Sequence, residues 1–452
     1  MTRSSFTSAP YFASGSVRPG VVCALAAALW LCAAGDALAG DALAGDALAG
    51  EPTRHPMRVS ITFGEPVKVA NVTLFEAPDP RVAAISPDDS LIAVACQTKT
   101  GPQIALFRIA DGGEVQGEPV TVSPSLPLSL KDFDHYVIAL AFHTDKPLLY
   151  VWRDVRGPRK DHPPVDVIYN EFDHLLVYRI DDGTLTLVKQ ACRGQDYAFG
   201  VQMGGLGVDP ANNRLYVPNT QQKHPDPKQE GVWCERVGFI DQDDAGLPVC
   251  TAGANGDAAR LTMMSLFLRY DGCYRLDPTL YQNFPLGQCG PFPVAGKTVI
   301  FVDKHDLLTL DTGATSVQAD GRPGSSWYPL LEIGGASWCR CAIHPKLPVI
   351  YVTAHNRTFA IQHVDGFPTL MPQVISTNEA IMTAPVVMTR SGKIAGGGAY
   401  AVYLLQLDAS GFLTGAAEKI AAGPDYVRAI VYSEKHDKLF VAVSKLPAPP
   451  DK

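Results

Sequence analysis

The chain has 452 residues, which is more than a single hydrophobic core usually serves. Hydrophobic residues make up 46% and charged residues 19% of it, a globular balance that excludes wholesale disorder. The formal net charge of -8 excludes a chain that as a whole attracts nucleic acid, and no stretch beyond residue 50 is apolar long enough to span a bilayer.

The first 50 residues are typical of an export segment. Arg3 and Arg18 precede an apolar run from Val21 to Ala34, which has the length of a signal peptide. Three copies of Asp-Ala-Leu-Ala-Gly follow, and each Ala-Leu-Ala is a cleavage pattern that ends at Ala39, Ala44 or Ala49. We therefore expect Sec export to the periplasm or the medium. An uncleaved anchor followed by a flexible linker is the alternative.

One hairpin recurs seven times after the export segment. It consists of a small-apolar strand, a tight polar turn and an apolar strand that often ends in Tyr-Val or Phe-Val. Units of this kind bury their faces against their neighbours, which lets a long chain fold as one array. The copies lie at 81–94, 138–151, 206–217, 290–302, 341–352, 386–398 and 429–441.

A second hairpin follows each of the first six copies. Its turn is marked by Asp and Gly, which tolerate the left-handed backbone of tight hairpins. These turns lie at 111–112, 182–183, 244–246, 311–313, 365–366 and 408–411. Four antiparallel strands per unit are typical of a propeller blade. We predict an all-β, seven-bladed β-propeller over residues 51–445, after the export segment 1–50 and before a tail at 446–452.

The two chain ends are predicted to meet. The seventh unit stops after its second strand, because the chain ends at Lys452. Near the start, Arg58 to Phe63 alternates apolar and polar residues, and Pro66 to Phe75 is a second extended run. We predict that these N-terminal strands complete the last blade and close the ring, which removes exposed sheet edges. An open array with ragged ends is the alternative.

Two segments resemble a known repeat. Tyr216-Val-Pro-Asn219 and Tyr351-Val-Thr-Ala354 look like degenerate YVTN repeats. Leu176 to Leu187 resembles the third and fourth strands of a blade in the seven-bladed lactonases of the 6-phosphogluconolactonase type. The resemblance covers roughly residues 57–445 and implies the propeller fold. It implies little about activity, since propellers host many unrelated functions.

The catalytic pattern of that family is largely missing. Sequences of that family contain a pattern similar to Pro-Arg-His-x-x-Phe-His-Pro at the start of the first strand of a blade. A pattern similar to Tyr-Val-x-Asn-Glu follows the second strand. Here Cys339 and Arg340 stand in place of Arg and His, while Ala354 and His355 replace Asn and Glu. Arg81 alone matches the Arg, in another blade. The comparison therefore argues against lactone hydrolysis.

The candidate binding face is where first strands begin and second strands end. Three insertions are predicted to lie on this face, at 153–173, 218–234 and 250–289. Long loops on a rigid scaffold often bind ligands. The alternative is that these loops are held by disulfides and have no binding role. Aligned on the turn, Arg340 and Arg428 are expected at one position, with Arg81 offset by one. Guanidinium groups suit a carboxylate, phosphate or acidic sugar, although Arg340 also fits an ion pair between blades. The candidate ligand-binding residues are Arg81, Gln97, His135, Trp152, Arg153, Arg340, His355, Asn356 and Arg428.

Eight of the ten cysteines remain after signal removal, and an even number in an exported chain predicts disulfides. Eight cysteines allow 105 pairings, so the connectivity stays open. The chain lacks Cys-x-x-Cys, Gly-x-Ser-x-Gly and His-Glu-x-x-His, and we expect neither a metal site nor a cofactor. The disulfide candidates are Cys96, Cys192, Cys234, Cys250, Cys273, Cys289, Cys339 and Cys341.

Three functions are compatible with this pattern. The preferred one is an exported, monomeric propeller that binds a small anionic molecule or a protein on its loop-rich face. The second is a divergent lactonase-type hydrolase that uses Arg81, Arg340 and His355. The third is a subunit similar to the heavy chain of periplasmic quinoprotein dehydrogenases, which requires a separate cofactor-bearing subunit. Whether the chain is catalytic stays open.

Overall fold

A computed structural model gives the structure of the chain, and all the regular secondary structure that it describes is β-strand. Every described residue belongs to the unit His55–Lys452. The described ranges are 58–125, 133–156, 173–193, 206–209, 213–223, 233–253, 256–259, 262–265, 298–304, 310–316, 328–332, 339–364, 367–368, 373–383 and 385–446.

The strands form seven sheets of three or more strands within these ranges, numbered I to VII along the chain. Two strands come first, β1 (Arg58–Ile61) and β2 (Val72–Glu76). Sheet I contains β3 (Pro80–Ile85), β4 (Leu91–Thr98), β5 (Gly101–Ile109) and β6 (Val115–Val122). Sheet II contains β7 (Asp134–Phe142), β8 (Leu148–Arg156), β9 (Asp173–Asp181) and β10 (Thr184–Arg193).

Sheets III and IV follow. Sheet III contains β11 (Gly207–Asp209), β12 (Arg214–Lys223), β13 (Trp233–Asp241) and, after a separate hairpin of β14 (Cys250–Gly253) and β15 (Gly256–Ala259), β16 (Thr262–Ser265). Sheet IV contains β17 (Thr298–Lys304), β18 (Leu310–Ser316) and β19 (Tyr328–Glu332).

The last three sheets take in the N-terminal strands. Sheet V contains β20 (Cys339–Ile343), β21 (Val349–Val364), β22 (Phe367–Pro368), β23 (Gln373–Ile381) and β1. Sheet VI contains β24 (Val386–Met388), β25 (Lys393–Gly397), β26 (Ala399–Leu407) and β27 (Leu413–Tyr426). Sheet VII contains β28 (Ala429–Ser433), β29 (Lys438–Val443) and β2.

Six of the seven predicted hairpins are antiparallel pairs at the expected places. They are β3–β4, β7–β8, β11–β12, β20–β21, β24–β25 and β28–β29. The fourth copy, 290–302, lies outside the described residues apart from its second strand, β17. The all-β prediction with four-stranded antiparallel sheets is therefore confirmed for sheets I, II, III and VI.

The predicted Asp-Gly turns have mixed outcomes. Those at 111–112, 182–183, 244–246 and 408–411 connect strands as expected, and Asp182 and Gly183 adopt the left-handed φ values of 48° and 78°. The turn at 365–366 lies outside the described residues. The turn at 311–313 is wrong: Asp311 lies inside β18 and pairs with Asp303 and Glu332, because β18 is the central strand of sheet IV.

Sheet V departs from the predicted blade. The 16-residue strand β21 runs through the place where two strands were expected. Its first half pairs with β20 and its second half with β23. The outer edge of β23 is taken by β1 in a parallel pairing that starts with Arg58 opposite Val374. The prediction that β1 completes the last unit is therefore wrong, and β1 covers the open edge of sheet V instead.

The second N-terminal strand joins the last sheet as predicted. β2 pairs along β29 from Val72↔Leu439 to Glu76↔Val443, in parallel orientation. Between β1 and β2 the chain follows the outer strand of sheet VI, where the Val67 amide donates to the Lys419 carbonyl at 2.8 Å. We call residues 58–76 the strap. It contacts sheets V, VI and VII in turn, and the Phe63 and Tyr403 rings pack with centroids 4.5 Å apart.

The core consists of layers between neighbouring sheets. One cluster joins Phe107 of sheet I to Phe440 of sheet VII, and others join sheets I and II, II and III, V and VI, and VI and VII. The inner strands are consequently buried on both faces, as Ile92–Cys96 of β4 shows. Burial of this kind between stacked sheets is the main source of stability in repeat arrays.

Among the described residues, side-chain donors of sheets II, V and VII each reach the Asp-Gly turn of a neighbouring sheet. Tyr150 Oη of sheet II donates to the Gly246 carbonyl of sheet III, and Tyr351 Oη of sheet V donates to the Gly411 carbonyl of sheet VI, both at 2.7 Å. Lys438 Nζ of sheet VII donates to the Gly113 carbonyl of sheet I at 3.0 Å. The tyrosine of the Tyr-Val repeat therefore binds the neighbouring unit.

Candidate functional site

The candidate residues cluster at one end of the sheets. In each hairpin the first strand begins, and the second strand ends, at the end opposite the tight turn. We call this the upper end. It includes Arg81 and Gln97 of sheet I, His135 and Trp152 of sheet II, and Arg428 before sheet VII. The hairpin repeat predicts this placement, because it determines the direction of every first and second strand.

Arg81 and Arg428 occupy equivalent positions. The turns align through Ser86 and Ser433, which face Leu91 and Lys438 across their hairpins. Arg81 and Arg428 each lie five residues before that serine. His344, which faces Val349, aligns at the same position, and Arg340 lies only four residues before it. The predicted register is therefore wrong: Arg81 matches Arg428, and Arg340 is the one that is offset.

Arg81 lies on β3 and Arg428 directly precedes β28, and these two strands contact each other. The Arg81 side chain is 34% exposed, and its Nη2 forms an ion pair with Asp79. Its Nε is buried and has no hydrogen-bond partner among the described residues. A buried donor without an acceptor is costly, so the hydrogen bonding of Arg81 is incomplete within the described ranges.

Arg428 is held by an aromatic ring. Its guanidinium carbon lies 5.7 Å from the centre of the Tyr426 ring. Tyr426 in turn stacks on Tyr400, with centroids 6.1 Å apart and an interplanar angle of 28°. Both rings face solvent, with 56% of Tyr400 and 48% of Tyr426 exposed. Sequence reasoning missed both tyrosines, because neither lies in the second strand of a repeated hairpin, where the Tyr-Val pattern recurs.

Gln97 and His135 connect sheets I and II. Gln97 Nε2 donates to the His135 carbonyl at 3.4 Å, and His135 Nε2 lies 3.0 Å from the Pro124 carbonyl. Burial lowers the pKa of His135. The structure brings these two residues together as expected, but their polar atoms already contact backbone carbonyls. We interpret them as supports of the upper end.

Trp152 and Arg153 are buried, at 1% exposure each. Arg153 Nε donates to the Asp173 carbonyl at 2.8 Å and its Nη1 to the Ser125 carbonyl at 2.7 Å. Burial lowers the pKa of Arg153 to about 10, which leaves it charged at neutral pH. The Trp152 ring stacks on His174, with centroids 5.9 Å apart. Arg153 thus connects the backbone at Ser125 with the backbone at Asp173. Trp152 lies in the protein interior.

The sheet V candidates are only partly described. The backbone of Arg340 pairs with Thr353 in β20–β21, and His355 pairs with Ile381. The side chains of both residues lie outside the described part of the structure. Asn356 is exposed, and its carbonyl accepts a hydrogen bond from Thr377 Oγ1 at 3.1 Å. A ligand contact at these three positions stays a prediction.

One of the predicted disulfide partners is a free thiol. Cys96 is 1% exposed, and its Sγ donates to the Val94 carbonyl at 3.8 Å. Burial and the nearby Asp79 raise the pKa of the Cys96 thiol to about 12. The disulfide prediction is therefore wrong for Cys96, which lies in the packed strand β4. Cys192 is also buried. The other six side chains, Cys234, Cys250, Cys273, Cys289, Cys339 and Cys341, lie outside the described residues, and their pairing stays a prediction.

The lower end carries turns and a cavity. A cavity of about 660 Å³ lies beside Arg108, Asp111 and Gly183, and Arg108 donates to the Asp182 carbonyl. His143 and His344 accept hydrogen bonds from backbone amides of their turns at 3.0 Å.

Among the described residues, no group of three or more His, Cys, Asp or Glu side chains is arranged to hold a metal ion. No helix suited to crossing a membrane occurs in the same ranges.

Comparison with known proteins gives distant structural likenesses. No family model matches the chain, and no curated protein matches it. A Bacteroides uniformis protein, provisionally described as a 6-phosphogluconolactonase, is 12% identical, with 78% of this chain and 89% of that chain covered and a TM-score of 0.47. A Lactobacillus plantarum protein is 14% identical, with coverage of 78% and 88% and a TM-score of 0.44. A nidogen/laminin complex chain is 11% identical, with coverage of 81% and 99% and a TM-score of 0.38. These TM-scores are all below 0.5.

Proposed function

We propose that the chain is an exported, closed seven-bladed β-propeller that binds a small anion at its upper end. The ring is supported by the contacts of the first described strands, which run in the order β11, β7, β3, β28, β24, β20 and β17. Six of the seven joints of such a ring are present in this series. Sheets III and IV, which would form the seventh joint, are connected along the chain through residues 266–297, which lie outside the described ranges.

The observation that carries the binding proposal is the pair Arg81 and Arg428. Two guanidinium groups start from equivalent positions, Arg81 on the first strand β3 and Arg428 directly before the neighbouring first strand β28. Arg81 forms an ion pair with Asp79, and its buried Nε has no acceptor in the described part of the chain. Arg428 has no carboxylate partner within the same ranges and rests on Tyr426. A carboxylate or phosphate would satisfy both groups.

Ligand-induced stabilisation tests this proposal. Phosphate, citrate and benzoate are compared with chloride at matched ionic strength by thermal unfolding of the mature chain. An anion at 100 times its Kd stabilises the folded state by about 2.7 kcal/mol, which raises the Tm by about 3 °C at this chain length. We expect the rise to be lost in Arg81→Gln and Arg428→Gln.

A matched variant controls for charge. Arg179→Gln removes the same group at the lower end, where Arg179 pairs with Asp181 at 2.7 Å, and it should keep the full rise. If no anion raises the Tm of the unaltered chain, or if Arg81→Gln responds like Arg179→Gln, the binding proposal is wrong. Export is tested separately, by the N-terminal residue of the protein recovered from the periplasm or medium.

A further inference from the structure

Tyr400 adopts a conformation that a tyrosine rarely tolerates. Its φ is 64°, in the left-handed region that favours glycine, and a bulky residue there is an outlier. The pairing of β26 with β27 is irregular here, since Ala399 pairs with Tyr426 and Ala401 pairs with Ala421. Tyr400 lies at this irregularity, and the additional residues belong to β27. Irregular pairings of this kind redirect side chains and occur next to functional sites. The Tyr400 ring is 56% exposed to solvent.

The stacked rings are held on a rigid base. The Val427 amide, between Tyr426 and Arg428, donates to the Gly398 carbonyl at 2.9 Å. A Cβ on Gly397 would lie 2.5 Å from the Val427 carbonyl, so the two segments pack without space for a side chain. The backbones that carry the Tyr400 and Tyr426 rings are therefore fixed before any ligand arrives, which lowers the entropic cost of binding.

We propose that Tyr400, Tyr426 and Arg428 form a binding site for a planar aromatic carboxylate. The idea rests on the anion site proposed above and specifies the class of its ligand. An aromatic ring extends the offset stack of the two tyrosines, and its carboxylate pairs with the Arg428 guanidinium. Strain at Tyr400 is retained because its exposed ring contacts the ligand and makes no contribution to the core.

The surroundings of the rings favour an aromatic ligand over a sugar. A sugar is read by many hydrogen-bonding side chains, since each hydroxyl needs a partner. Here Tyr400 is flanked by Ala399 and Ala401, and Val427 follows Tyr426. The carboxylate of Asp425 is already engaged by the Ser444 hydroxyl. The flat faces of the two rings and the adjacent Arg428 guanidinium are the features that the site offers.

Paired ligands of equal charge test the proposal. Benzoate and cyclohexanecarboxylate are titrated into the mature chain by calorimetry at one ionic strength. We expect benzoate to bind about tenfold more tightly, from ring stacking that the saturated ring lacks. Tyr400→Gly and Tyr426→Leu should abolish this preference, whereas Tyr400→Phe, which keeps the ring, should retain it. Arg428→Gln should weaken both ligands.

Thermal unfolding separates a binding role from a structural one. Tyr400→Gly relieves the left-handed strain and removes no buried contact, so its Tm should equal or exceed that of the unaltered chain by about 1–2 °C. A lower Tm would mean that the ring supports the fold and would overturn the inference. Equal affinity for the two ligands would also overturn it, yet leave the anion site intact. No binding of either ligand, together with no response to phosphate or citrate, would reject the proposed function itself.

Discussion

Four described histidines are held neutral by the fold. His174 is fully buried, and its Nδ1 lies 3.0 Å from the Arg153 carbonyl. Burial lowers the pKa of His174 to about 3, and burial also lowers the pKa of His135, His143 and His344. The charged form is disfavoured at each position, because the interior does not solvate an imidazolium.

The free energy of unfolding should therefore fall as the pH drops from 7 to 4.5. Below pH 6.5 the unfolded chain takes up more protons at these histidines than the native chain does, because each native pKa is lowered, so protonation favours unfolding. His174 alone should account for about 2–3 kcal/mol over this window, since its native pKa lies below it. Urea unfolding at pH 7.0 and 4.5 measures the change, and His174→Leu should reduce it. A free energy that is level across the window would contradict the expectation.

At the residue scale, the sequence predicts at which end of a sheet a candidate residue lies better than it predicts whether its side chain is exposed. The hairpin repeat places Arg81, Trp152 and Arg428 at the upper end, and the structure agrees. The hairpin repeat does not reveal that Trp152 and Arg153 are buried. Their burial depends on contacts with other strands of sheet II and its neighbours. Tyr400 was missed for a similar reason, since the irregular pairing of β26 with β27 at this point leaves no clear pattern in one sequence.

The glycine run Gly396-Gly397-Gly398 serves close packing between sheets V, VI and VII. A Cβ on Gly396 would lie 2.3 Å from Ile381 Cγ2, and one on Gly398 would lie 2.3 Å from the Ala380 carbonyl. Gly397 faces the Val427 carbonyl in the same manner. Backbone atoms cannot move aside as a flexible side chain does, so only glycine fits at Gly397 and Gly398, where the nearest atoms are carbonyl oxygens.

Gly397→Ala and Gly398→Ala should each lower the free energy of unfolding by about 2–3 kcal/mol, because the added methyl overpacks a rigid contact. Equilibrium unfolding in urea measures the loss. Gly64→Ala is the matched control, since nothing lies within 4 Å of a Cβ there, and it should change stability by less than about 0.5 kcal/mol. Equal effects at Gly64 and Gly398 would show that the close approach does not constrain the sheets.

At the element scale, hairpins were predictable and the choice of partners was not. A short alternating strand, a polar turn and a second strand determine one another locally, which is why β3–β4 and β28–β29 appear where expected. The Asp-Gly signal failed at 311–313, because pairing with both β17 and β19 outweighs a local turn preference. Similarly, no local signal predicts that β21 continues as one strand and leaves an edge for β1.

At the scale of the whole molecule, the two described ends of the chain come together in two ways. β2 extends sheet VII, so the start of the chain completes the last unit. Sheet VII also packs on sheet I, where Ser433 Oγ donates to Asp89 at 2.8 Å and Lys438 reaches the Gly113 carbonyl. Contacts between residues more than 300 positions apart therefore replace the chain connection at this joint. If the ring is closed, its stability depends on the strap.

Removal of the strap in two steps tests this dependence. A chain that begins at Glu65 lacks β1 and Phe63, and it should lose about 3–6 kcal/mol from the buried Ile61 and Phe63 side chains. A chain that begins at Ala77 also lacks β2, which leaves sheet VII with two strands and an uncovered edge, so it should lose cooperative unfolding and aggregate. A chain that begins at Met57 retains the whole strap and serves as the reference. Circular dichroism and tryptophan fluorescence in urea follow all three. If all three chains unfold at the same urea concentration with coincident transitions, the stability of the sheets does not depend on the strap. The joint between sheets VII and I would then be stable without it.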